Sequence, residues 1–308
     1  MNRYERLISK ANKGNTILMD GAIGTESERR GIIQLNNAWN GGAALKNPRV
    51  LREIHEEYIK SGAEIIISNT FANSKHALED ANEEHNFLNF NEAGISLAIK
   101  ARENLNKNDV LVAGSVSYWT WSGRKPSLKK LEESIELQVT TMANSGADLI
   151  ILEMMVDIEQ MLVTLKAAKT SGLPIWVGLS CELNKSNNID LLGGDSLEKA
   201  INVLQNKDID VINIMHTNVA HTLPALKSLK EIWLGMIGAY AHSGSYKNSN
   251  SCEETYWAFE EVISPEKFYD YAKEWKNIGV NFIGGCCGIN AEHIKYLKKN
   301  FKNINSKK

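Results

Sequence analysis

Apolar and polar positions follow two alternating patterns along this chain. Eight short runs are almost continuously apolar and rich in β-branched residues, and in the longer segments between them apolar residues recur every three or four positions. The short runs predict strands that are covered on both faces, and the longer segments predict amphipathic helices. The predicted strands are TILMDGAIG, EIIISNTF, VLVAGSVS, DLIILEMM, PIWVGLSC, VINIMHT, IWLGMIGAYAH and VNFIGGCCG.

Four of the intervening segments carry a clear helical pattern: NPRVLREIHEEYIKSGA, SLKKLEESIELQVTTMANSGA, VDIEQMLVTLKAAKTSGLP and SPEKFYDYAKEWKNIGV. Most begin at a Ser, Asp or Asn-Pro cap and end at Gly, as helices commonly do. Eight strands alternating with helices predict a (β/α)8 barrel that forms a single domain over residues 1–308. A doubly wound sheet is the alternative, but no Gly-x-Gly-x-x-Gly motif follows the first strand to favour it.

Two segments do not fit this alternation. Residues 243–254, SGSYKNSNSCEE, are predicted to form a long polar loop. Residues 300–308, NFKNINSKK, are predicted to form a basic C-terminal tail that frays from the last helix.

Composition narrows the class of partner. The chain has 308 residues with 35 basic and 37 acidic side chains interleaved along it, so no basic stripe is available for nucleic acid. No apolar run approaches the roughly 20 residues that span a membrane, and the N-terminus lacks the apolar core of a signal peptide. We therefore expect a cytoplasmic protein that acts on small molecules and binds neither nucleic acid nor membranes, with its oligomeric state open.

Polar and thiol side chains follow several of the predicted strands. In a (β/α)8 barrel the carboxyl ends of all strands meet at one rim, where active sites collect. The candidates at this rim are Asp20, Asn69, Thr70, Glu153, His216, Cys286 and Cys287.

The adjacent cysteines Cys286 and Cys287 give the first chemical signal. They lie in the sequence GGCCG, whose glycines allow the chain to leave strand geometry so that both thiols face one ion. With His216 they form a plausible Cys2His zinc site that leaves a fourth position for substrate. Packing is the alternative, because an adjacent cysteine pair is a weaker metal signal than two Cys-x-x-Cys pairs.

Five stretches, in matching order, resemble the homocysteine S-methyltransferase family: MDGAIGTESERRG, the strand ending in SNTF, LVAGSVS, ADLIILEMM and IGGCCGINAEHI. The resemblance extends from about residue 17 to about residue 297, and the DGAxGTE opening combined with the glycine-flanked cysteine pair is specific. It implies a zinc enzyme in which the thiolate of homocysteine attacks an activated methyl group and methionine is formed.

The resemblance also implies roles for several rim residues. Cys286 and Cys287 match the two C-terminal zinc ligands, Asp20 matches the opening aspartate, and Glu153 matches the glutamate that helps to hold the amino group of homocysteine. Two carboxylates suit an ammonium group, and the amides of a glycine-rich turn suit a carboxylate. The expected homocysteine contacts are Asp20, Gly21, Ala22, Asn69, Thr70 and Glu153. For Asp20 and Glu153, a helix cap or a salt bridge is the structural alternative.

The chain departs from the family's pattern at the end of the sixth strand. There the family has its third zinc ligand, a cysteine in a Gly-Val-Asn-Cys stretch, whereas this chain has VINIMHTN. We expect His216 to replace that cysteine, because imidazole is a common zinc ligand. A neutral imidazole makes the zinc centre less negative, so the substrate thiolate should be less electron-rich. Cys181 and Cys252 are weaker candidates for a ligand.

A second departure follows the third strand, where the family often has Gly-Pro-Tyr and this chain has SYWTWSG. Tyr118, Trp119 and Trp121 in this stretch, together with Trp39 in the first long loop, offer aromatic faces that attract methylated cations. We expect these residues to bind the methyl donor. The resemblance permits S-methylmethionine, S-adenosylmethionine, dimethylsulfoniopropionate and betaine, and a sulfonium is favoured because a thioether leaves more readily than a tertiary amine. Packing of the loops or of a subunit interface is the alternative.

Two other classes of function stay open. The first is a zinc barrel enzyme that acts on another thiol or activates water as a hydrolase, with Glu153 or His242 as the general base. The second is a thiol binder that has lost turnover through the change at His216.

Overall fold

The computed structural model describes residues 1–246 and 259–305. Eight parallel strands among them form a nearly closed (β/α)8 barrel, which confirms the predicted fold. Each of the eight predicted strands overlaps one of them. They are β1 (Ile17–Leu18), β2 (Ile65–Ile67), β3 (Leu111–Val116), β4 (Leu149–Met155), β5 (Ile175–Leu179), β6 (Val211–Asn218), β7 (Met236–His242) and β8 (Phe282–Gly285).

The barrel closes through its shortest strand, β1. Leu18 pairs with Ile283 on the β8 side. Met19, directly after β1, forms an isolated parallel bridge with Ile65 on the β2 side. The segments that follow β1 and β8 therefore lie next to each other at the rim formed by the carboxyl ends of the strands.

Helices connect the strands and cover the outside of the barrel, and the four predicted helices are present. Three of them begin with a side-chain cap, because Ser127, Asp157 and Ser264 each accept a hydrogen bond from the backbone N–H three residues further on. Gly62, with φ of 108°, ends the other. The helices are α1 (Arg3–Asn12), α2 (Gly24–Arg29), α3 (Ala43–Lys46), α4 (Pro48–Ser61), α5 (Lys75–Asp80), α6 (Phe87–Asn104), α7 (Leu128–Asn144), α8 (Ile158–Ala168), α9 (Leu197–Leu204), α10 (Val219–Ile232), α11 (Pro265–Asn277) and α12 (Ala291–Asn305), with short 3-10 turns at Phe71–Asn73, Glu84–Asn86 and Lys169–Ser171.

Two antiparallel strand pairs lie outside the barrel in the part of the chain that the structure describes. One pairs Cys181–Leu183 with Ile189–Leu191 directly after β5. The other pairs Ser245–Tyr246 with Phe259–Glu260, so the predicted polar loop at residues 243–254 contains a short strand at its start. Residues 247–254 of that loop, including Cys252, lie outside the described residues.

The expected C-terminal tail is helical over most of its length, because α12 continues to Asn305. The helix continues because Phe301 packs against α11. The side chain of Phe301 is buried, and its ring centroid lies 5.5 Å from that of Tyr269 on α11. Residues 306–308 lie outside the described residues.

Large apolar side chains fill the barrel toward its N-terminal end. Trp176 on β5 and Phe282 on β8 are fully buried, with ring centroids 4.4 Å apart. The indole N–H of Trp176 donates to the hydroxyl of Tyr4 at 2.8 Å, so α1 packs against this end. In the part of the chain that the structure describes, no helix combines the length and the apolar character needed to cross a membrane.

Candidate active site

Cys286, Cys287 and His216 lie together at the carboxyl end of the barrel. The Nδ1 atom of His216 is 3.4 Å from the Sγ of Cys286, and the two Sγ atoms are 4.0 Å apart. The potential ligand atoms of the three residues all lie within 4.8 Å of one another, and no other group of this kind occurs among the described residues. Ligand atoms about 2.0 to 2.3 Å from a tetrahedral zinc ion have similar separations. The three side chains therefore fit a metal ion with little movement.

A distortion of β6 turns His216 toward the cysteines. The register between β6 and β7 shifts between Met215 and Asn218, and within this shift His216 has φ of 42°. Bulges of this kind re-aim side chains near active sites. A left-handed backbone at a non-glycine residue costs about 1 to 3 kcal/mol, so the surrounding barrel must hold it in place.

The thiols and the imidazole influence each other's protonation. The neighbouring Cys287 thiol, and then burial, raise the pKa of Cys286 well above its usual range. Burial alone would lower the pKa of His216, but its interaction with Cys286 raises it. The adjacent thiol and burial thus disfavour the thiolate form of Cys286, whereas His216 and any bound cation favour it.

Two buried carboxyl groups lie close to this cluster. Glu153 accepts a hydrogen bond from the hydroxyl of Ser115. Asp20 accepts one from the backbone N–H of Ile67 at 2.7 Å through Oδ2, whereas its Oδ1 is buried with no hydrogen-bond partner. Burial raises the pKa of both carboxyl groups, and the charge of Glu153 raises that of Asp20 further. An ammonium group of a ligand would offset this cost and favour the ionised forms.

One cavity of about 290 Å³ connects the thiol cluster with aromatic loops. Three of its lining rings contact one another and are called the aromatic cluster here: Trp39, Phe71 and Trp121. The ring centroid of Trp39 lies 6.4 Å from that of Phe71 and 5.8 Å from that of Trp121, and those of Phe71 and Trp121 are 6.1 Å apart. The cavity therefore has both a thiol and imidazole surface and an aromatic one.

Three bulky residues with left-handed backbones line the same cavity: Trp39 (φ 42°), Met154 (φ 52°) and His216 (φ 42°). Met154 lies where the register between β4 and β5 shifts, so β4 is distorted as β6 is. Strained backbones of this kind tend to occur at functional sites.

Most of the residues predicted for the site line this cavity, and three do not. Those that line it are Gly21, Ala22, Trp39, Asn69, Trp119, Trp121, Glu153, His216, Cys286 and Cys287, while Asp20, Thr70 and Tyr118 are absent from its lining.

The side chains of Thr70 and Tyr118, which we predicted to contact homocysteine and the donor, form hydrogen bonds with backbone groups. The fully buried Thr70 donates from Oγ1 to the carbonyl of Ser115 at 2.8 Å and accepts from its N–H at 3.0 Å. The hydroxyl of Tyr118 accepts hydrogen bonds from the N–H groups of Val156 at 2.7 Å and Asp157 at 3.1 Å. Thr70 thus ties the end of β2 to β3, and Tyr118 holds the segment after β4.

The turn after β1 is less available to a ligand than we expected. The N–H of Ala22 donates to the carbonyl of Ile289 at 2.8 Å, so this amide is not a free donor for a carboxylate. Gly21 is required here, because a Cβ would lie 2.3 Å from the same carbonyl oxygen. The side-chain Oδ1 of Asn69 accepts from the N–H of Ala44 at 3.2 Å, which fixes the loop above the barrel.

The sequence interpretation did not include Phe71 or Glu28. Phe71 is the last residue of the stretch SNTF, and its place four residues after the end of β2 was the available signal. Glu28 accepts a hydrogen bond from the indole N–H of Trp39, a contact that nothing in the sequence pattern indicates.

Comparison with known proteins places the chain in a family. The sequence model described as homocysteine S-methyltransferase matches residues 17–301. The chain belongs to the homocysteine S-methyltransferase family. It is therefore a methyltransferase, and the resemblance inferred from the sequence motifs is confirmed.

The names of relatives in the homocysteine S-methyltransferase family include homocysteine, and one of them also includes betaine. Betaine–homocysteine S-methyltransferase 1 of Rattus norvegicus is 25% identical over 94% of this chain and 73% of the relative. Homocysteine S-methyltransferase 2 of Arabidopsis thaliana is 24% identical over 95% of each chain. The metallated form of the homocysteine methyltransferase MmuM from Escherichia coli has a TM-score of 0.78 at 22% identity, covering 97% of this chain and 100% of that one. This likeness shows the shared barrel fold.

We expect replacement of His216 by Ala to weaken zinc binding by roughly 100-fold or more, because the predicted metal site would lose one of its three ligands. Metal analysis of protein dialysed against buffered zinc would measure this. His216→Cys, which restores the sulfur of the family's pattern, should retain zinc, and His85→Ala, at an exposed histidine, is the matched control. Full zinc content in His216→Ala would exclude His216 from the metal group.

Replacing Tyr118 by Phe should lower the free energy of unfolding by about 1 to 3 kcal/mol, because two buried N–H groups lose their acceptor. Urea denaturation measures this change, with Tyr271→Phe on α11 as a control. Because Tyr118 lies outside the cavity, the KM for the methyl donor should stay constant. A raised donor KM at unchanged stability would restore the original assignment.

Proposed function

We propose that this protein is a zinc-dependent methyltransferase that moves a methyl group from a sulfonium or quaternary ammonium donor to homocysteine and produces methionine. The main observation behind this proposal is that one cavity has two different surfaces. One consists of His216, Cys286 and Cys287, and the other is the aromatic cluster. A thiol acceptor and a methylated cation require these two surfaces close together. The family and the names of its relatives support the acceptor and the class of donor.

Zinc is the metal that suits this set of ligands. Two thiols and an imidazole are groups that zinc binds readily, and His216, Cys286 and Cys287 would hold it. When bound, zinc supplies Lewis-acid chemistry that makes a substrate thiol a nucleophile at neutral pH.

The carboxyl groups of Glu153 and Asp20 would select an amino acid as the carrier of that thiol. Glu153 lines the cavity and can pair with the ammonium group of homocysteine. Asp20 lies behind the cavity surface and increases the negative potential there. Burial raises the pKa of both carboxyl groups. The positive charge of a bound ammonium group lowers it again and so favours the ionised forms.

The reaction is a single displacement. The sulfur of the homocysteine thiolate forms a bond to the methyl carbon while the bond from that carbon to the donor sulfur or nitrogen breaks. The bonding pair stays on the leaving group, which departs as a neutral thioether or tertiary amine, and the thiol proton is released to solvent. The protein contributes alignment of the two reactants and aromatic faces for the cationic group.

Sulfonium donors such as S-methylmethionine and dimethylsulfoniopropionate fit this site better than betaine. His216 supplies a neutral ligand in the position of a thiolate, so the nucleophile is less electron-rich and benefits from a better leaving group. We place the enzyme in methionine biosynthesis in the cytoplasm, where Cys286 and Cys287, both free thiols, would stay reduced.

The direct test is formation of methionine by the zinc-loaded protein. Isotopically labelled homocysteine is supplied with S-methylmethionine, dimethylsulfoniopropionate or betaine in separate reactions, and labelled methionine is measured by mass spectrometry. The label distinguishes the product from methionine that leaves as the demethylated donor. We expect labelled methionine from at least one sulfonium. Bound zinc without labelled methionine from any donor would refute the proposal and favour another thiol or hydrolysis.

Replacing Trp121 by Leu should raise the KM for the donor by about 2- to 30-fold, the range expected for the loss of one cation–π contact, and leave the KM for homocysteine unchanged. Steady-state kinetics with each substrate varied in turn measure this. Trp233→Leu is the matched control, because Trp233 precedes β7 at the other end of the barrel. Equal increases in both KM values would indicate that Trp121 only packs the loop.

A further inference from the structure

We infer that Glu28 is the anionic positioning residue of the donor site. Its carboxylate holds Trp39 at the cavity and favours a positively charged donor group over a neutral group of the same shape. The inference rests on the proposed function, since it deepens the assignment of the donor class.

Glu28 reaches the cavity through the ring of Trp39. Gly24 and Glu28 are four residues apart on α2 and so lie on the same face of that helix. The Trp39 ring lies along this face: a Cβ at Gly24 would be 1.9 Å from its Cη2 atom, and its Nε1–H donates to Oε1 of Glu28. The ring thus extends from a residue that lines the cavity to the carboxylate of Glu28.

Trp39 needs such a contact because its backbone is strained. Its φ of 42° is unusual for a bulky side chain and costs about 1 to 3 kcal/mol. A hydrogen bond from the Leu35 N–H to the Trp39 carbonyl, 2.7 Å long, fixes the backbone of the turn. The orientation of the ring is fixed by Glu28 at one edge and by the surface of Gly24 beneath it.

No cation in the described part of the chain forms an ion pair with the carboxylate of Glu28. Its Oε1 also accepts from the side-chain amide of Gln34, and its Oε2 is buried with no hydrogen-bond partner. Among the described residues, Arg29 and Arg30 of the same helix pair with Glu26 at 2.6 and 2.7 Å. An ionised acceptor polarises the indole and makes its face more attractive to a cation.

This arrangement discriminates between donor and product. A sulfonium or quaternary ammonium group carries a positive charge that is lost when its methyl group is transferred, so the leaving thioether or amine is neutral. The anion behind Trp39 therefore favours the donor and does not hold the demethylated product.

The test compares two ligands of nearly the same shape: dimethylsulfoniopropionate and 4-methylpentanoate, in which a neutral CH replaces the sulfonium. Their affinities for the zinc-loaded protein are measured by calorimetry. Glu28→Gln keeps an acceptor for Trp39 but removes the charge, so we expect the affinity for the cation to fall roughly five- to tenfold with that for the neutral ligand unchanged. Glu64→Gln, before β2 at the other end of the barrel, changes net charge equally and should alter neither affinity.

A second variant separates charge from positioning. Glu28→Asp keeps the charge but shortens the side chain by one methylene group, so it releases the indole N–H. We expect both ligands to lose affinity in this variant, while the KM for homocysteine and the unfolding midpoint stay near those of the parent protein. A Glu28→Asp variant that binds both ligands as the parent does would refute the positioning role.

The dependence on pH gives an independent readout. Burial raises the pKa of Glu28 to about 7, although the N–H groups of Trp39 and Gln34 act in the opposite direction. Those two facing groups are uncharged, and the other charged side chains of α2, Glu26, Arg29 and Arg30, pair with one another and with Glu57 of α4. The preference for the cation should therefore grow as Glu28 ionises between about pH 6 and pH 8, and it should be flat in Glu28→Gln.

The outcomes distinguish this inference from the proposed function. A parent protein that binds the cation and the neutral ligand equally would overturn the cationic donor class, and with it the role of Glu28. A preference for the cation that persists in Glu28→Gln, at every pH, would overturn only the inference about Glu28.

Discussion

The two-residue strand β1 pairs with β8, and Met19 directly after it bridges to β2, so this closure brings the segments that follow β1 and β8 to the same rim. The two backbones approach so closely that a Cβ at Gly284 would lie 2.7 Å from the carbonyl oxygen of Asp20. The N–H of Gly285 donates to that oxygen at 2.9 Å. Because glycine permits this approach, the carboxyl group of Asp20 and the thiol of Cys286 belong to one site although more than 260 residues separate them.

Local distortions at the ends of β4 and β6 place side chains at the site that regular strands would not direct there. In an ideal strand, successive side chains point to opposite faces, so in a regular β6 only every second side chain would point into the barrel. The register shifts around His216 and Met154 interrupt this alternation at the ends of β6 and β4. Each left-handed residue costs about 1 to 3 kcal/mol, and the continuous apolar core beneath the rim is what holds it. The core therefore fixes the site rigidly, even though it takes no part in the chemistry.

The sequence predicted the eight strands and the thiol group for different physical reasons. Continuous apolar runs are a property of strands buried on both faces, so their number and order can be counted directly. Cys286 and Cys287 were identified from a motif. Sequence is less informative about groups whose role depends on tertiary contacts: Thr70 and Tyr118 have residue types suited to a site, and their hydroxyls form hydrogen bonds with backbone groups of β3 and of the segment after β4. Phe71 was missed because its partners in the aromatic cluster come from two distant loops.

The histidine at position 216, where the family has a cysteine, affects how much negative charge the carboxyl groups around the cavity have to supply. A divalent cation held by two thiolates and a neutral imidazole has no net charge, whereas three thiolates would leave it negative. Negative charge in the proposed site therefore comes from Glu153 and Asp20 on one side and from Glu28 behind Trp39 on the other. In the displacement that we propose, a thiolate and a cation become two neutral products, so no new charge has to be stabilised. The task left to the protein is to bring the two charged reactants together and align them, and fixed carboxylates near each binding surface serve that purpose.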